Sequence, residues 1–144
     1  MTIEIRLLGP GDEAVLAQVA QGVFDNDVDP ALTRRFLADP RHHIAVAVED
    51  GQVVGFASAV DYIHPDKPAE LWINEVGVAP ALQRRGIASA LMRAMLDHGR
   101  TLGCSTAWLG TERSNAAAMG LYRAIGGRLA EADAVFEWDL EESS

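Results

Sequence analysis

One cysteine, Cys104, stands in 144 residues. That excludes an internal disulfide and a multi-cysteine zinc site. It falls between a helical pattern and a strand pattern and reads as a small buried residue rather than a nucleophile. No apolar run is long enough to cross a bilayer, and the N-terminus lacks the basic-then-apolar layout of a signal peptide. A cytoplasmic protein without membrane contact is the expectation. Basic residues are the minority, 12 Lys and Arg against 21 Asp and Glu, for a formal net charge of −9. That argues against nucleic acid as a partner and suits a cationic one. Two phosphate-loop signatures are absent: no Gly-Lys-Ser/Thr, and no G-x-G-x-x-G after the first strand. His42 and His43 lead a hairpin as surface residues with no third ligand at a metal spacing, so no metal is expected. Asp25, Asp27 and Asp29 have calcium-loop spacing, but neither the glycine nor the glutamate that such a loop needs follows. No repeat or linker interrupts the chain. Its length suits a single domain over 1–144, the last few residues frayed.

What is present alternates between strand and helix patterns. Ile3, Ile5 and Leu7 mark a half-buried strand. Asp12 is a plausible N-cap for a helix carrying Val15, Leu16, Val19 and Val23. Asp29-Pro30 opens a second helix, with Leu32 and Phe36 on its apolar face, and Asp39-Pro40 closes it. His43 to Glu49 and Val53 to Tyr62 form a hairpin around Asp50-Gly51, with Gly55 a candidate bulge. Trp72 to Val78 is a strand stopped by Ala79-Pro80. From Ile87 a long helix runs to Gly99 and Gly103. Ser105 to Leu109 is a short strand, Asn115 to Ile125 a helix, and Leu129 and Val135 to Leu140 supply the last strands. The class is a mixed α/β or α+β domain.

The stretch from Trp72 through Arg93 organises the rest. A strand runs into Gln83-Arg84-Arg85-Gly86-Ile87-Ala88, where the long helix begins. Glycine lets a ligand approach the backbone, and the first N–H groups of a helix have no partner inside it. Such a terminus attracts phosphates, and two arginines add cationic donors. A surface turn with solvated arginines is the plain alternative.

Two motifs then coincide. Gln83-x-x-Gly86-x-Ala88 follows a strand reading Glu75-Val-Gly-Val, and Asn115-x-x-Ala118-x-x-Leu121-Tyr122-x-x-x-Gly126 lies about thirty residues on. Together they resemble the acyl-CoA motifs of the GCN5-related N-acetyltransferases (GNAT), in order and length over nearly the whole chain. Gly127 departs from the pattern, since the family usually has phenylalanine there. The resemblance implies a bent mixed sheet of six to seven strands with about four helices, opened in a V between its fourth and fifth strands. Acetyl-CoA lies in that gap. It implies that Val76 and Val78, flanking Gly77, pair their backbone with the pantetheine arm. It gives the pyrophosphate to the amides of Arg85, Gly86, Ile87 and Ala88, with Gln83, Arg84 and Ser89 nearby.

Transfer of acetyl from a thioester to an amine needs a neutral amine, a stabilised oxyanion and a protonated leaving thiolate. The resemblance assigns Glu75 as general base, direct or through water, and as anchor for the ammonium; a structural carboxylate paired with an arginine is the alternative. The Val76 N–H is the candidate oxyanion donor. Tyr122 is the candidate acid towards the sulfur, against the alternative of a core tyrosine. Asn115 would hydrogen-bond the pantetheine or order its loop.

The acceptor follows from a looser likeness. The Phe24-Asp25…Val28-Asp29-Pro30 connection, the long first hairpin, the acid before Val-Gly-Val and the Phe136-Glu-Trp-Asp ending are similar to the small type I aminoglycoside 3-N-acetyltransferases. Glu75 stands where that group usually carries aspartate. Asp25, Asp27, Asp61, Glu75 and Glu112 could then form an acidic cleft for a polycation; all but Glu75 serve equally as plain surface carboxylates. Other acceptors fit the same motifs: a polyamine, an amino-acid-like metabolite or a protein lysine. A CoA-binding sensor without turnover is the non-enzymatic alternative. Oligomeric state is not legible, although many proteins that this chain resembles dimerise, and a homodimer is one expectation.

Overall fold

The structure, a computed structural model, describes residues 2–141. Five strands among these residues form one sheet in the order β1 (Glu4–Leu7), β2 (His42–Glu49), β3 (Gln52–Tyr62), β4 (Glu70–Val78) and β5 (Thr106–Leu109). Neighbours from β1 to β4 are antiparallel, and β5 runs parallel to β4. The helices are α1 (Pro30–Ala38), α2 (Ile87–Thr101) and α3 (Ala116–Ala124). The chain divides into two compact units, Met1–Glu112 and Arg113–Ser144. The sheet, α1 and α2 belong to the first and α3 to the second.

This is the mixed α/β architecture expected, with fewer elements among the described residues: five strands instead of six to seven, and three α-helices instead of about four. The helix read from Asp12 to Val23 shrinks to one 3₁₀ segment, Glu13–Ala17. Tertiary hydrogen bonds explain the loss. Val53 N–H donates to Gln18 O at 2.7 Å and Ala20 N–H to Val53 O at 2.8 Å, so the backbone after Ala17 is clipped to β3 instead of coiling. Asp12 turns its Oδ2 back to the Gly9 N–H at 2.8 Å instead of capping the segment. The alternating stretch at Val135 to Leu140 forms no strand. Val135, Phe136, Trp138 and Leu140 stay exposed, because no ladder partner takes their backbone.

α1 starts as its sequence dictates. Asp29 Oδ1 accepts the Leu32 N–H at 2.9 Å and Pro30 fills the first helical position, where a missing N–H costs nothing. The core lies between the sheet and α2. Leu71 and Ile73 of β4 and Leu91 and Met95 of α2 are fully buried, each worth about 1.5–3 kcal/mol of transfer free energy. Gly55 permits the close approach: a Cβ there would stand 3.2 Å from Leu91 Cδ1 and 3.3 Å from Ile87 Cγ2. The expected bulge is present beside it, where Ala47 pairs Gly55 and Val48 pairs Val53.

A polar chain ties α2 to the same face. Arg41 Nη1 donates to Asp61 Oδ2 at 2.9 Å, and His43 Nε2 meets Asp61 Oδ1 at 2.6 Å. His98 Nε2 of α2 lies 2.9 Å from His43 Nδ1. His43, read as a surface residue, is therefore buried. Burial and the neighbouring His43 lower the His98 pKa, partly opposed by Asp61. The unfolded chain then binds this proton more readily than the folded one. Stability is present above about pH 6.5 and lost as pH falls towards the lower folded-state value. The thermal midpoint should fall between pH 7 and pH 5.5, and His98→Gln should flatten that slope. Equal slopes in the two proteins would remove His98 from the account.

Candidate functional site

β4 carries the site because it changes partners along its length. On one side it pairs with β3 throughout, from Tyr62–Glu70 to Gly55–Val78. On the other it pairs with β5 only from Glu70–Thr106 to Ile73–Leu109. From Asn74 onwards no strand among the described residues pairs with that edge. A register shift falls at the same place: Ser58 pairs Glu75 and Ala59 pairs Ile73, leaving Asn74 as an extra residue. A bulge of this kind bends its strand and increases local twist. The expected gap between the fourth and fifth strands begins here.

Main-chain direction follows from alternation. The Ala79 N–H donates to Val54 O on the β3 side. In an extended strand the N–H and C=O of one residue point the same way and those of its neighbours point oppositely. Val78 and Val76 therefore turn their main-chain groups away from β3, into the gap. Gln83 Nε2 donates to Val78 O at 3.3 Å, so one of those acceptors is engaged by the loop itself.

That loop is a short 3₁₀ turn, Pro80–Leu82, followed by Gln83, Arg84, Arg85 and Gly86. Arg84 has φ +68° and Gly86 φ +79°. A left-handed arginine is costly, whereas the glycine is not. A Cβ at Gly86 would meet nothing within 4 Å, so its backbone is open to a ligand. No side chain caps α2, which leaves the first N–H groups at Ile87, Ala88 and Ser89 without helical partners. Arg84 and Arg85 are exposed and make no ion pair among the described residues. Open amides, two free guanidinium groups and a half-open strand edge fit a diphosphate with an extended amide-bearing arm.

The two faces of the sheet divide the acidic candidates. Glu75 pairs Ser58, and both share the face of Phe56 and Gly77, opposite α2. Glu75 is exposed and Ser58 buried beside it. Asp61 lies on the α2 face, held by Arg41 and His43. Its expected place in one acidic cleft with Glu75 is corrected by this alternation: the two carboxylates emerge on opposite sides. A crossing segment reaches the Glu75 face. Phe24 stacks on Phe56 with centroids 4.0 Å apart. Val23 O comes so near Gly77 that a Cβ there would sit 2.5 Å from it. Asp25 and Asp27 follow directly and are exposed. Glu112 is exposed in the loop after β5.

Asn115 and Tyr122 belong to the second unit. Asn115 Oδ1 accepts the Ala118 N–H at 3.1 Å and so caps α3. Burial raises the Tyr122 pKa, keeping the phenol protonated at neutral pH. At Gly127, where the pattern has phenylalanine, a Cβ would stand 2.8 Å from Tyr122 O.

Sequence reading missed the Ser58–Glu75 pair and the histidine chain. The first needs a register across strands, the second a contact 55 residues apart in sequence. It also missed a cluster at the start of β4. Glu70 accepts from His64 Nε2 at 2.9 Å. Burial raises its pKa, but hydrogen bonding from His64, Tyr62 and Trp108 outweighs this and holds the carboxyl below its usual range.

Residues 15–126 match the model of the Acetyltransferase (GNAT) family. The N-alpha-acetyltransferase RimI of Mycobacterium tuberculosis is 36% identical over 104 residues, 72% of this chain and 63% of that protein. A mycothiol acetyltransferase of Mycobacteroides abscessus is 32% identical over 139 residues, 90% of this chain and 46% of that protein. The matches thus span less than two thirds of either relative. Among solved structures, an aminoglycoside acetyltransferase from an uncultured soil metagenomic sample, in complex with sisomicin, superposes with a TM-score of 0.84. It covers 96% of this chain and 97% of that one at 16% identity, a likeness of fold.

Proposed function

From the premise that this chain belongs to the GNAT family of acetyltransferases, we propose that it moves acetyl from acetyl-CoA to a primary amine of a small polycation. An aminoglycoside, acetylated at a 3-N position, is the acceptor favoured by the sequence likeness. The observation that carries the acetyltransferase reading is the half-open edge of β4. Val76 and Val78 turn their main-chain groups into the gap, and the strand leads straight to open amides at the start of α2.

Acetyl-CoA would bring the activated acyl group as a thioester. Gln83 to Ser89 would bind its diphosphate and the β4 edge its extended arm. Pairing at Val78 requires Gln83 to release or share that carbonyl. Glu75 would anchor the ammonium and take its proton, directly or through water. The Val76 N–H would stabilise the oxygen that gains charge. Tyr122 would return a proton to the departing sulfur. Asp25, Asp27 and Glu112 would draw in the cation through the field of an acidic protein.

Thiol release measured against a panel of amines tests the reading. Aminoglycosides should be the best acceptors, and a panel with no thiol release at all would refute the enzyme. Glu75→Gln should lower turnover by about tenfold near pH 6, less as pH rises and the amine sheds its own proton. A pH profile parallel to the parent's would remove Glu75 from the base role. The 36% identity to RimI supports a second reading, in which the acceptor is a protein N-terminus. Faster transfer to an alanine-headed peptide than to any aminoglycoside would select it.

A further inference from the structure

β1 forms the edge of the sheet opposite β5 and pairs only with β2 among the described residues. The Leu8 N–H donates to Ile44 O at 3.0 Å, on the β2 side. Alternation along an extended strand then turns the main-chain groups of Arg6 and Glu4 towards β2. Those of Ile5 and Leu7 turn outwards, with Ile3 next in the row. No strand, turn or loop backbone among the described residues takes up these outward groups. The side chains divide in the same rhythm. Ile5 pairs Ala47, and Leu7 pairs Ala45. Ala47 in turn pairs Gly55, which lies against Leu91 and Ile87 of α2. Ile5 and Leu7 therefore share the α2 face, where Leu7 is left exposed. Glu4 and Arg6 point to the other face, and their ionic contacts are long. Arg6 Nε lies 3.9 Å from Glu4 Oε1, and Arg6 Nη2 lies 4.0 Å from Asp12 Oδ1.

We infer that β1 is the docking edge for a second copy of this chain, paired antiparallel about a two-fold axis at Ile5. An open strand edge is a template for pairing with another chain. Charge selects both the partner and the register. With the axis at Ile5, Glu4 of each copy stands opposite Arg6 of the other. These are the non-hydrogen-bonded positions, where opposed side chains come closest. The outward groups of Ile5 meet their own counterparts, and those of Leu7 meet those of Ile3, for about six main-chain hydrogen bonds. Moving the axis to Glu4 sets glutamate against glutamate, and moving it to Arg6 sets arginine against arginine; both are disfavoured. A two-fold interface requires such self-complementarity, with opposite charges at equal distances either side of its centre. On the α2 face, Leu7 of one copy lies beside Ile3 of the other and is covered. β4 is not at this edge, so each copy keeps its own half-open strand. So short a strand supports a weak, reversible dimer.

The test is sedimentation equilibrium on the full chain, as the parent, Glu4→Arg, Arg6→Glu and the double variant. The parent should be dimeric at about 100 μM and dissociate on dilution towards about 1 μM. A parent that stays monomeric at about 100 μM overturns the inference. Each single reversal places like charges together on both sides of the axis and should raise the dissociation constant roughly tenfold or more. The fold should survive, because surface ion pairs of such length contribute little. The double variant restores opposite signs and should recover the parent's affinity. The two single variants, mixed in equal amounts, should form a heterodimer, since unlike charges meet again at every position. Reversals that leave the dissociation constant within about twofold of the parent's would overturn the β1 interface. Single variants that dissociate yet fail to pair on mixing would overturn it equally.

Discussion

Tyr122→Phe is expected to lower kcat by roughly 10²-fold or more, the usual range for loss of a positioned acid. Acetyl-CoA should still raise the melting midpoint of the variant, because the change removes a proton donor and keeps the ring. A thiolate leaving without a proton is a poor leaving group, and the phenol is a suitable source. Burial raises its pKa above the ordinary tyrosine value of 10.0, so it stays protonated through the working range. The parent should therefore show no alkaline loss assignable to Tyr122 below about pH 10. The competing role is packing on α3, for which phenylalanine is a near-perfect substitute. Parent-like turnover in Tyr122→Phe would establish that role and leave the acid unassigned.

Gly77→Ala should damage both stability and acceptor use. The added methyl would sit 2.5 Å from Val23 O and 2.9 Å from Phe56 Cε1. The phenyl ring could turn, but a backbone carbonyl cannot move aside without taking its segment with it. Overpacking of this kind costs about 1–3 kcal/mol, and more where backbone must shift. Displacing Val23 would also unstack Phe24 from Phe56 and carry Asp25 and Asp27 off the Glu75 face. The expected result is a thermal midpoint several degrees lower, with a raised KM for the amine. Gly120→Ala is the matched control: a Cβ there meets nothing within 4 Å, and alanine in a helix is favoured over glycine by about 1 kcal/mol. A Gly77→Ala protein as stable as the parent would mean that the crossing segment is not pinned at β4.

Much of this was legible in the chain itself. Asp29-Pro30 announced α1 because capping and a fixed φ act within four residues. Apolar periodicity announced α2, and Gly55 was flagged beside a real bulge. The loop that leads from β4 into α2 was legible because a strand end, a glycine and a helix start are adjacent in sequence. The misreadings share a cause. The helix expected after Asp12 yielded to hydrogen bonds from β3, which no local pattern contains. Val135 to Leu140 alternates like a strand, yet pairing is a property of two segments and its partner was assumed. Asp61 was grouped with Glu75 by charge, whereas sheet alternation and a bulge put them on opposite faces.

Local chemistry, then, determined where the elements start, which loop leaves the amides of a helix start open, and the family to which the motifs point, because each depends on residues a few positions apart. The tertiary structure alone decided which side chains share a face. It buried His43 and Asp61 under α2, set Ser58 beside Glu75, brought Val23 across Gly77 and put Trp72 in register with Trp108. Those neighbours come from register, bulge and strand order, which are fixed by contacts between segments far apart in the chain.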